Sequence, residues 1–499
     1  MREAGPAPKF WIMTTMRKAL IGLTISIVAL GLFAVWVLRG DKAQFDLDKT
    51  TGPKPQLAEA APQWFPTIGI AKPIGWADGA APVAAQGLTV TRFADKLDHP
   101  RTLTVLPNGD VLAAETNGPK ESGPGGITGL VMGYLMSAAG AGEASPNKIV
   151  VLRDTNGDGV ADQRFVMSNP GLDSPFGMVL REGRLYVGNH NGVVSWPFTP
   201  GQTTLEGKPE KLMDLPGGGN HWARNLLASP DGTRLYVTVG SASNIGERGL
   251  GIEKGRAAIY EYDFTKHSSR TYAEGLRNPN GLDWNPRSGE LWTTVNERDM
   301  LGSDLVPDYL TNVPLGAQYG WPWAYWKKNI DWRVTDPMPE YLLEYVRKPE
   351  YGLGAHVAAL GLAFARGGNL MGERFASGAF VARHGSWNRK PLSGYDVVFV
   401  RFDNNGNALP MPPVPVLTGF LTKENTAHGR PTWVTFAKDG ALLVSDDTGG
   451  VIWRVVAPGA TPAAAITEIA ATPPPPAPKA NTKYIVRPST TSDLLNPPR

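Results

Sequence analysis

The chain of 499 residues carries seven histidines and no cysteine, so acid–base work falls to imidazole, carboxylate and guanidinium groups. The lack of thiols excludes disulfides, thiolate metal sites and covalently attached c-type haem. The richest stretch is Gly217-Gly218-Gly219-Asn220-His221-Trp222, which runs into Leu226-Leu227-Ala228, an Asp231-Gly232 turn and the strand-like run Arg234 to Val239. An ordinary imidazole titrates near ~6.5 and can take a proton from a hydroxyl at neutral pH. Asp-Gly between two apolar runs signals a hairpin. A hairpin sets the head of its first strand beside the tail of its second, so His221 is expected beside Ser241 to Asn244.

Guanidinium groups recur at comparable places. Arg101, Arg277 and Arg430 stand near the heads of apolar runs, Asn278 follows Arg277, and His384 and Arg389 bracket Gly385-Ser386-Trp387-Asn388. Arginine pairs carboxylates bidentately, so several converging on one place would hold an anion. A different chemistry is suggested by Asp154-Thr155-Asn156-Gly157-Asp158-Gly159-Val160-Ala161-Asp162. Oxygens from Asp154, Asn156, Asp158, the Val160 carbonyl and Asp162 are the hard donors that Ca²⁺ prefers. The Glu that closes an EF-hand is missing, which leaves a structural Ca²⁺ loop in a hairpin, or a turn rich in Asp and Asn without metal.

The element that must position these groups is a repeated hairpin. It runs from His99 to Glu115, Ser174 to Asn189, His221 to Gly240, Arg277 to Val295, Ala359 to Ala382 and Gly429 to Ser445, and a further apolar strand follows most copies. Such units are the signature of radial blades. A closed ring buries both faces of each blade and leaves only short edges. The fold is therefore expected to be all-β, a six-bladed β-propeller over residues 87–457. Turns such as Asp231-Gly232 gather at one end. The opposite rim gathers Arg101, Glu115, Asn117, Asn189, His190, His221, Asn244, Arg277, Asn278, Asn296, Glu297, His356, His384 and Arg430.

The flanks read differently. Arg17-Lys18 precede Ala19 to Leu38, an apolar run of about the length that spans a bilayer. Ala34 to Leu38 lacks a small-x-small cleavage pattern, which favours a retained transmembrane anchor (19–38) after a cytoplasmic N-terminus (1–18). The bulk would then lie on the periplasmic side of a bacterial inner membrane, or be secreted to the periplasm if the segment is cleaved. Residues 39–86, rich in Pro and Ala, read as a linker with packed aromatic pieces. Residues 458–499, with Pro473 to Pro476 in succession, read as a disordered tail. A net charge of +3 without a long basic block argues against nucleic acid as a partner.

Several segments resemble a known family. Asn220-His221, Gly275-Leu276-Arg277-Asn278-Pro279-Asn280-Gly281-Leu282, Gln318-Tyr319-Gly320-Trp321-Pro322 and Gly429-Arg430-Pro431 resemble the soluble aldose dehydrogenases dependent on pyrroloquinoline quinone (PQQ). Asn296-Glu297-Arg298-Asp299 and His384 to Arg389 are more similar to the L-sorbosone dehydrogenase branch. The resemblance implies PQQ and Ca²⁺ as cofactors, a sugar or sugar-aldehyde substrate and a separate electron acceptor, a cytochrome or quinone. It implies His221 as general base and Arg277 as the group that holds developing charge on the quinone. Arg101, Asn278, His384, Arg389 and Arg430 would contact the cofactor, and the backbone carbonyls of Glu297 and Arg298 would hold a catalytic Ca²⁺. Thr432 and Ser241 depart from the family's Arg and Asp at their positions. Two other readings stay open: a metal-dependent lactonase using Glu115, Asn189, Asn244, Glu297 and Asp446, and a non-catalytic binding propeller.

Overall fold

A computed structural model describes residues 9–119, 133, 137 and 144–471. Short alternating runs bounded by Gly, Asn and Asp turns form six sheets of four or five strands. The innermost strands are Pro100–Val105, Met178–Arg181, Leu226–Ala228, Pro279–Trp284, Ala359–Phe364 and Pro431–Phe436. Second strands such as Val111–Glu115, Leu291–Val295 and Leu442–Asp446 are buried at every position. That pattern belongs to a strand covered on both faces, here by the neighbouring blades. Aromatic side chains fill the spaces between blades, among them Phe375, Phe380 and Phe399.

The sixth blade takes only three strands from the C-terminal part of the propeller, Pro431–Phe436, Leu442–Asp446 and Val451–Val456. Its fourth is Thr89–Ala94, with Ala94 opposite Ile452 and Thr89 opposite Val456. Joining the two ends of the chain in one sheet closes the ring and covers an otherwise open edge. The six-bladed all-β expectation holds.

The stretch expected to be a linker is instead built into the ring. Thr51–Gly52 extends the fourth blade by pairing with Tyr351–Ala355, and Val83–Ala84 extends the fifth by pairing with Val414–Thr418. Lys72–Pro73 pairs with Thr426–Ala427. Trp76 packs against Phe420, Trp453 and His428, and its Nε1 donates to Asp446 Oδ2 at 2.7 Å. Strands of two residues have no periodicity to read, which is why composition suggested a linker. The tail also departs from expectation at its start. Gly368 N donates to Ala463 O, Ala463 N to Asn369 O and Ile469 N to Pro286 O, docking this piece across the turn ends of two blades. Pro473 to Pro476 lie outside the described residues.

The apolar N-terminal run is helical. Helix α1 spans Lys9–Arg39, and its described side chains Leu20, Ile21, Leu23, Ile25, Ile27, Val28 and Leu32 are exposed. Taken over the described residues, no helix is long and apolar enough to cross a membrane.

Candidate active site at the blade mouths

His221 lies in the loop that enters the third blade. Its Nδ1 is 2.8 Å from Ser241 O and 3.0 Å from Ser241 Oγ. The Ser241 hydroxyl donates to Ser243 O at 2.7 Å. Its proton is thereby engaged, so Nδ1–H must be the donor toward Ser241 and Nε2 keeps its lone pair. Burial, followed by the neighbouring Arg277 charge, lowers the His221 pKa to about 3, so the ring is neutral and a proton acceptor. The hairpin expectation that His221 meets the Ser241 region is met. Gly240 makes a second approach possible. A Cβ there would fall 2.4 Å from Asn278 Oδ1 and 2.6 Å from His221 Cβ, so the missing side chain lets Asn278 and His221 sit together.

Arg277 is held from three sides. Nη1 donates to Glu297 O at 2.6 Å, Nε to Asn244 O at 3.0 Å, and Nη2 to Asn244 Oδ1 at 2.9 Å and Asp299 Oδ2 at 3.1 Å. The other oxygen of Asp299 lies 3.3 Å from His356 Nδ1, and His356 Nε2 donates to Gly302 O at 3.0 Å. Burial opposes the charge of His356, but its contact with Asp299 outweighs that and raises its pKa. Burial likewise opposes the Asp299 carboxylate, and His356 and Arg277 overcome it, so its pKa falls. Ser241 N donates to Arg277 O at 2.8 Å. His221, Arg277, Asp299 and His356 are therefore one connected group.

A second group gathers around Asp447. His384 Nε2 is 2.8 Å and Arg101 Nη1 3.0 Å from its Oδ2, with His99 Nε2 at 4.0 Å. Arg430 donates through Nε to His384 O at 3.1 Å and through Nη2 to Gly385 O at 2.8 Å, and stacks over Tyr395. Burial, then the Arg430 charge, lowers the His384 pKa to about 4. Buried Arg101 Nε, Asp447 Oδ1, Thr448 Oγ1 and Asn220 Oδ1 have no partner among the described residues. The Arg101 guanidinium lies over the Trp222 ring, 5.8 Å from its centre, so the residue after His221 leads to this second group.

Not every expected site residue arrives. Arg389 points to the outer strap, donating to Asp304 Oδ1 at 3.1 Å and Phe45 O at 3.1 Å. It shares a sequence segment with His384 and not a site. The Arg298 side chain is fully buried against Glu297, Asp331 and the carbonyls of Pro322 and Ala324. The Glu297 carbonyl, expected to hold Ca²⁺, already accepts from the Arg277 guanidinium, whose positive charge would repel a dication there. The Glu297 carbonyl therefore does not fit a catalytic Ca²⁺.

The Asp154 to Asp162 loop also differs from its Ca²⁺ expectation. Asp154 accepts from Gly157 N and Gly159 N, Asn156 Oδ1 from Asp158 N, Asp158 Oδ1 from Val160 N, and both oxygens of Asp162 from Thr155. Hydrogen bonds inside the loop engage the side-chain oxygens expected to ligate metal. Among the described residues no three His, Asp or Glu side chains are grouped to hold a metal ion. The lactonase reading loses its ligands too: Glu115 is paired with Lys148, Asn244 with Arg277, Glu297 with Arg298 and Asp446 with Trp76.

Two residues of these groups had weak sequence signals. Asp447 stands just past the tail of a second strand, the position that supplies rim residues in other blades, but the adjacent Asp446 carries the same signal. Arg224, fully buried, donates to Pro216 O, His221 O and Ala223 O and so shapes the His221 loop. Nothing in its neighbours marks it.

Fold and site together define a six-bladed propeller whose rim carries two groups of imidazole and guanidinium side chains, one around Arg277 and Asp299 and one around Asp447. The TrAA12-like family model matches residues 145–312 and 340–457, more than half of the chain, and the chain belongs to that family. It is 26% identical over 430 residues to a pyrroloquinoline quinone-dependent pyranose dehydrogenase of Coprinopsis cinerea, a match covering 74% of this chain and 54% of that protein. It is 29% identical over 236 residues to a protein of Borreliella burgdorferi, covering 47% of this chain and 60% of the other. The chain thus spans little more than half the length of these curated relatives. A solved family AA12 enzyme of Trichoderma reesei superposes with a TM-score of 0.59 at 21% identity, over 75% of this chain and 97% of that one. The holo PQQ domain of the Coprinopsis cinerea pyranose dehydrogenase gives 0.56 at 21% identity, over 78% and 100%. At this identity the superpositions establish a shared fold.

Proposed function

We propose that this protein is a PQQ-dependent sugar dehydrogenase with His221 as general base. The observation that carries the reading is the buried, neutral His221, its Nδ1–H fixed on Ser241 and its Nε2 free, set beside Asn278 and Arg277. The donor set fits a flat polycarboxylated quinone. Among the described residues Arg430 has Nη1 uncommitted and Arg101 has a buried Nε without a partner. When bound, PQQ supplies the hydride acceptor. The protein's own part is to bind and orient. Arg101 and Arg430 would hold carboxylates, while His384 donates its one N–H to Asp447 and so orients the partner of Arg101. Arg277, its N–H groups already engaged, would lend its charge beside Asn278 to the reacting carbonyl, and His221 Nε2 would take the hydroxyl proton of the sugar. A fixed tautomer saves the base from reorienting during the reaction. The Coprinopsis cinerea relative is a PQQ-dependent pyranose dehydrogenase, which supports this class of substrate and cofactor. The oxidised sugar's electrons would pass to a separate acceptor.

We further propose that helix α1 anchors the protein in a membrane, with the propeller on the periplasmic side. The apolar run Ala19 to Leu38 and the exposed side chains of Leu20, Ile21, Leu23, Ile25, Ile27, Val28 and Leu32 support this.

The full chain, supplied with PQQ in the presence and absence of Ca²⁺, is expected to reduce an artificial electron acceptor with aldoses or sugar aldehydes. His221→Ala should lower the rate by about 100-fold or more. Because His221 stays neutral, the rate should not fall as pH drops through 6.5, the ordinary histidine value. Lactone hydrolysis without quinone, or an unaltered rate in His221→Ala, would refute the assignment.

A further inference from the structure

The geometry points to a propeller whose mouth faces the bilayer that holds helix α1, with Trp64 and Trp332 seated at the lipid–water interface. This rests on the membrane-anchor reading above and adds an orientation to it.

The argument starts where α1 ends, at Arg39. Only Gly40 separates it from Asp41, which is already docked: Asp41 Oδ2 accepts from Ser303 N at 2.6 Å, and Asp41 O accepts from Ser303 Oγ at 3.1 Å. The Gly302–Ser303 loop belongs to the rim, because Gly302 O accepts from His356 of the Arg277 group. Strand register gives the same answer independently. Ala355 pairs with Pro307 at the rim end of the fourth blade. The strap meets that strand with Thr51 opposite Leu353 and Gly52 opposite Gly352, so it runs from rim toward turns. The helix therefore leaves the ring at its mouth. One residue spans at most about 3.6 Å, and so short a tether leaves the ring little freedom to turn its other end to the membrane.

Two large exposed aromatic side chains flank that exit. Trp64 is fully exposed beside Gln63, whose N donates to Met300 O. Trp332 is 83% exposed beside Arg333, which donates to Asp299 O and Met300 O. Indole rings exposed near the end of an apolar helix match the chemistry of the interface, where an amphipathic ring finds both lipid and water. On the dehydrogenase reading, this orientation puts the mouth within reach of an acceptor dissolved in lipid.

The absence of cysteine allows a clean test with the full chain. Trp64→Cys, Trp332→Cys and, at a turn end, Asn405→Cys are labelled with a nitroxide and reconstituted into phosphatidylethanolamine–phosphatidylglycerol vesicles. Relaxation by oxygen, which concentrates in lipid, is compared with relaxation by a water-soluble nickel chelate. The labels at 64 and 332 should show an oxygen-to-nickel ratio several-fold above that at 405. Equal ratios at all three sites in protein that floats with the vesicles would overturn the orientation alone. Failure to float would overturn the anchor, and the orientation with it. Should either tryptophan variant fail to fold, Ile252→Cys, on the exposed edge of a helical turn whose Glu253 holds Ala242 N and Ser243 Oγ, replaces it.

Discussion

His221 depends on what lies behind it. Its proton is fixed by Ser241, its charge is suppressed by burial and by Arg277, and its side is opened by the missing Cβ of Gly240. That last feature gives a test that spares every functional group. Gly240→Ala would drive a methyl into Asn278 Oδ1 and His221 Cβ, both closer than carbon can tolerate. The expected outcome is a fall in turnover of about 100-fold, as for a misplacement of about 1 Å, with a loss of stability of about 1–3 kcal/mol. Steady-state kinetics beside a urea titration would measure both. At this scale the sequence was informative where residues sit on hairpins. His221 and Ser241 meet because a two-strand turn requires it. Arg389 departs from expectation because nearness in sequence to His384 says nothing about direction once the chain leaves the strand.

At the scale of elements, the strap before the first blade is the part that composition concealed. Its grip on the ring centres on Asp304, which accepts from Gln44 N and Phe45 N through Oδ2 and pairs with buried Arg389 through Oδ1. Asp304→Ala would leave a buried guanidinium without its counter-charge and two backbone donors without an acceptor. Breaking a buried pair in this way costs about 3–5 kcal/mol, to be read from the shift in a denaturant midpoint. Lys390 O accepts from Ala43 N, so the same change should expose the strap to limited proteolysis near residue 43. The blades were legible because apolar alternation repeats with a turn in every copy. The strap was not, since segments such as Thr51–Gly52 and Val83–Ala84 are too short to carry a period and owe their conformation to the sheet edges that they meet.

The whole molecule is a ring fastened by its own beginning. A chain starting at Gly40 keeps the strap, Trp76 and Thr89–Ala94, and should give a cooperative melt and keep its soluble activity. A chain starting at Lys96 loses the closing strand and uncovers Val451–Val456. It should melt without cooperativity or aggregate through that edge, as size-exclusion chromatography and circular dichroism would show.

That fastening bears on how the protein is made. Ala94 leaves the ribosome early, whereas its partner Ile452 is among the later residues of the propeller to be synthesised. During most of translation the first strand has no mate, and contacts so distant along the chain form slowly. Completion of the fold must wait until Val456 has emerged.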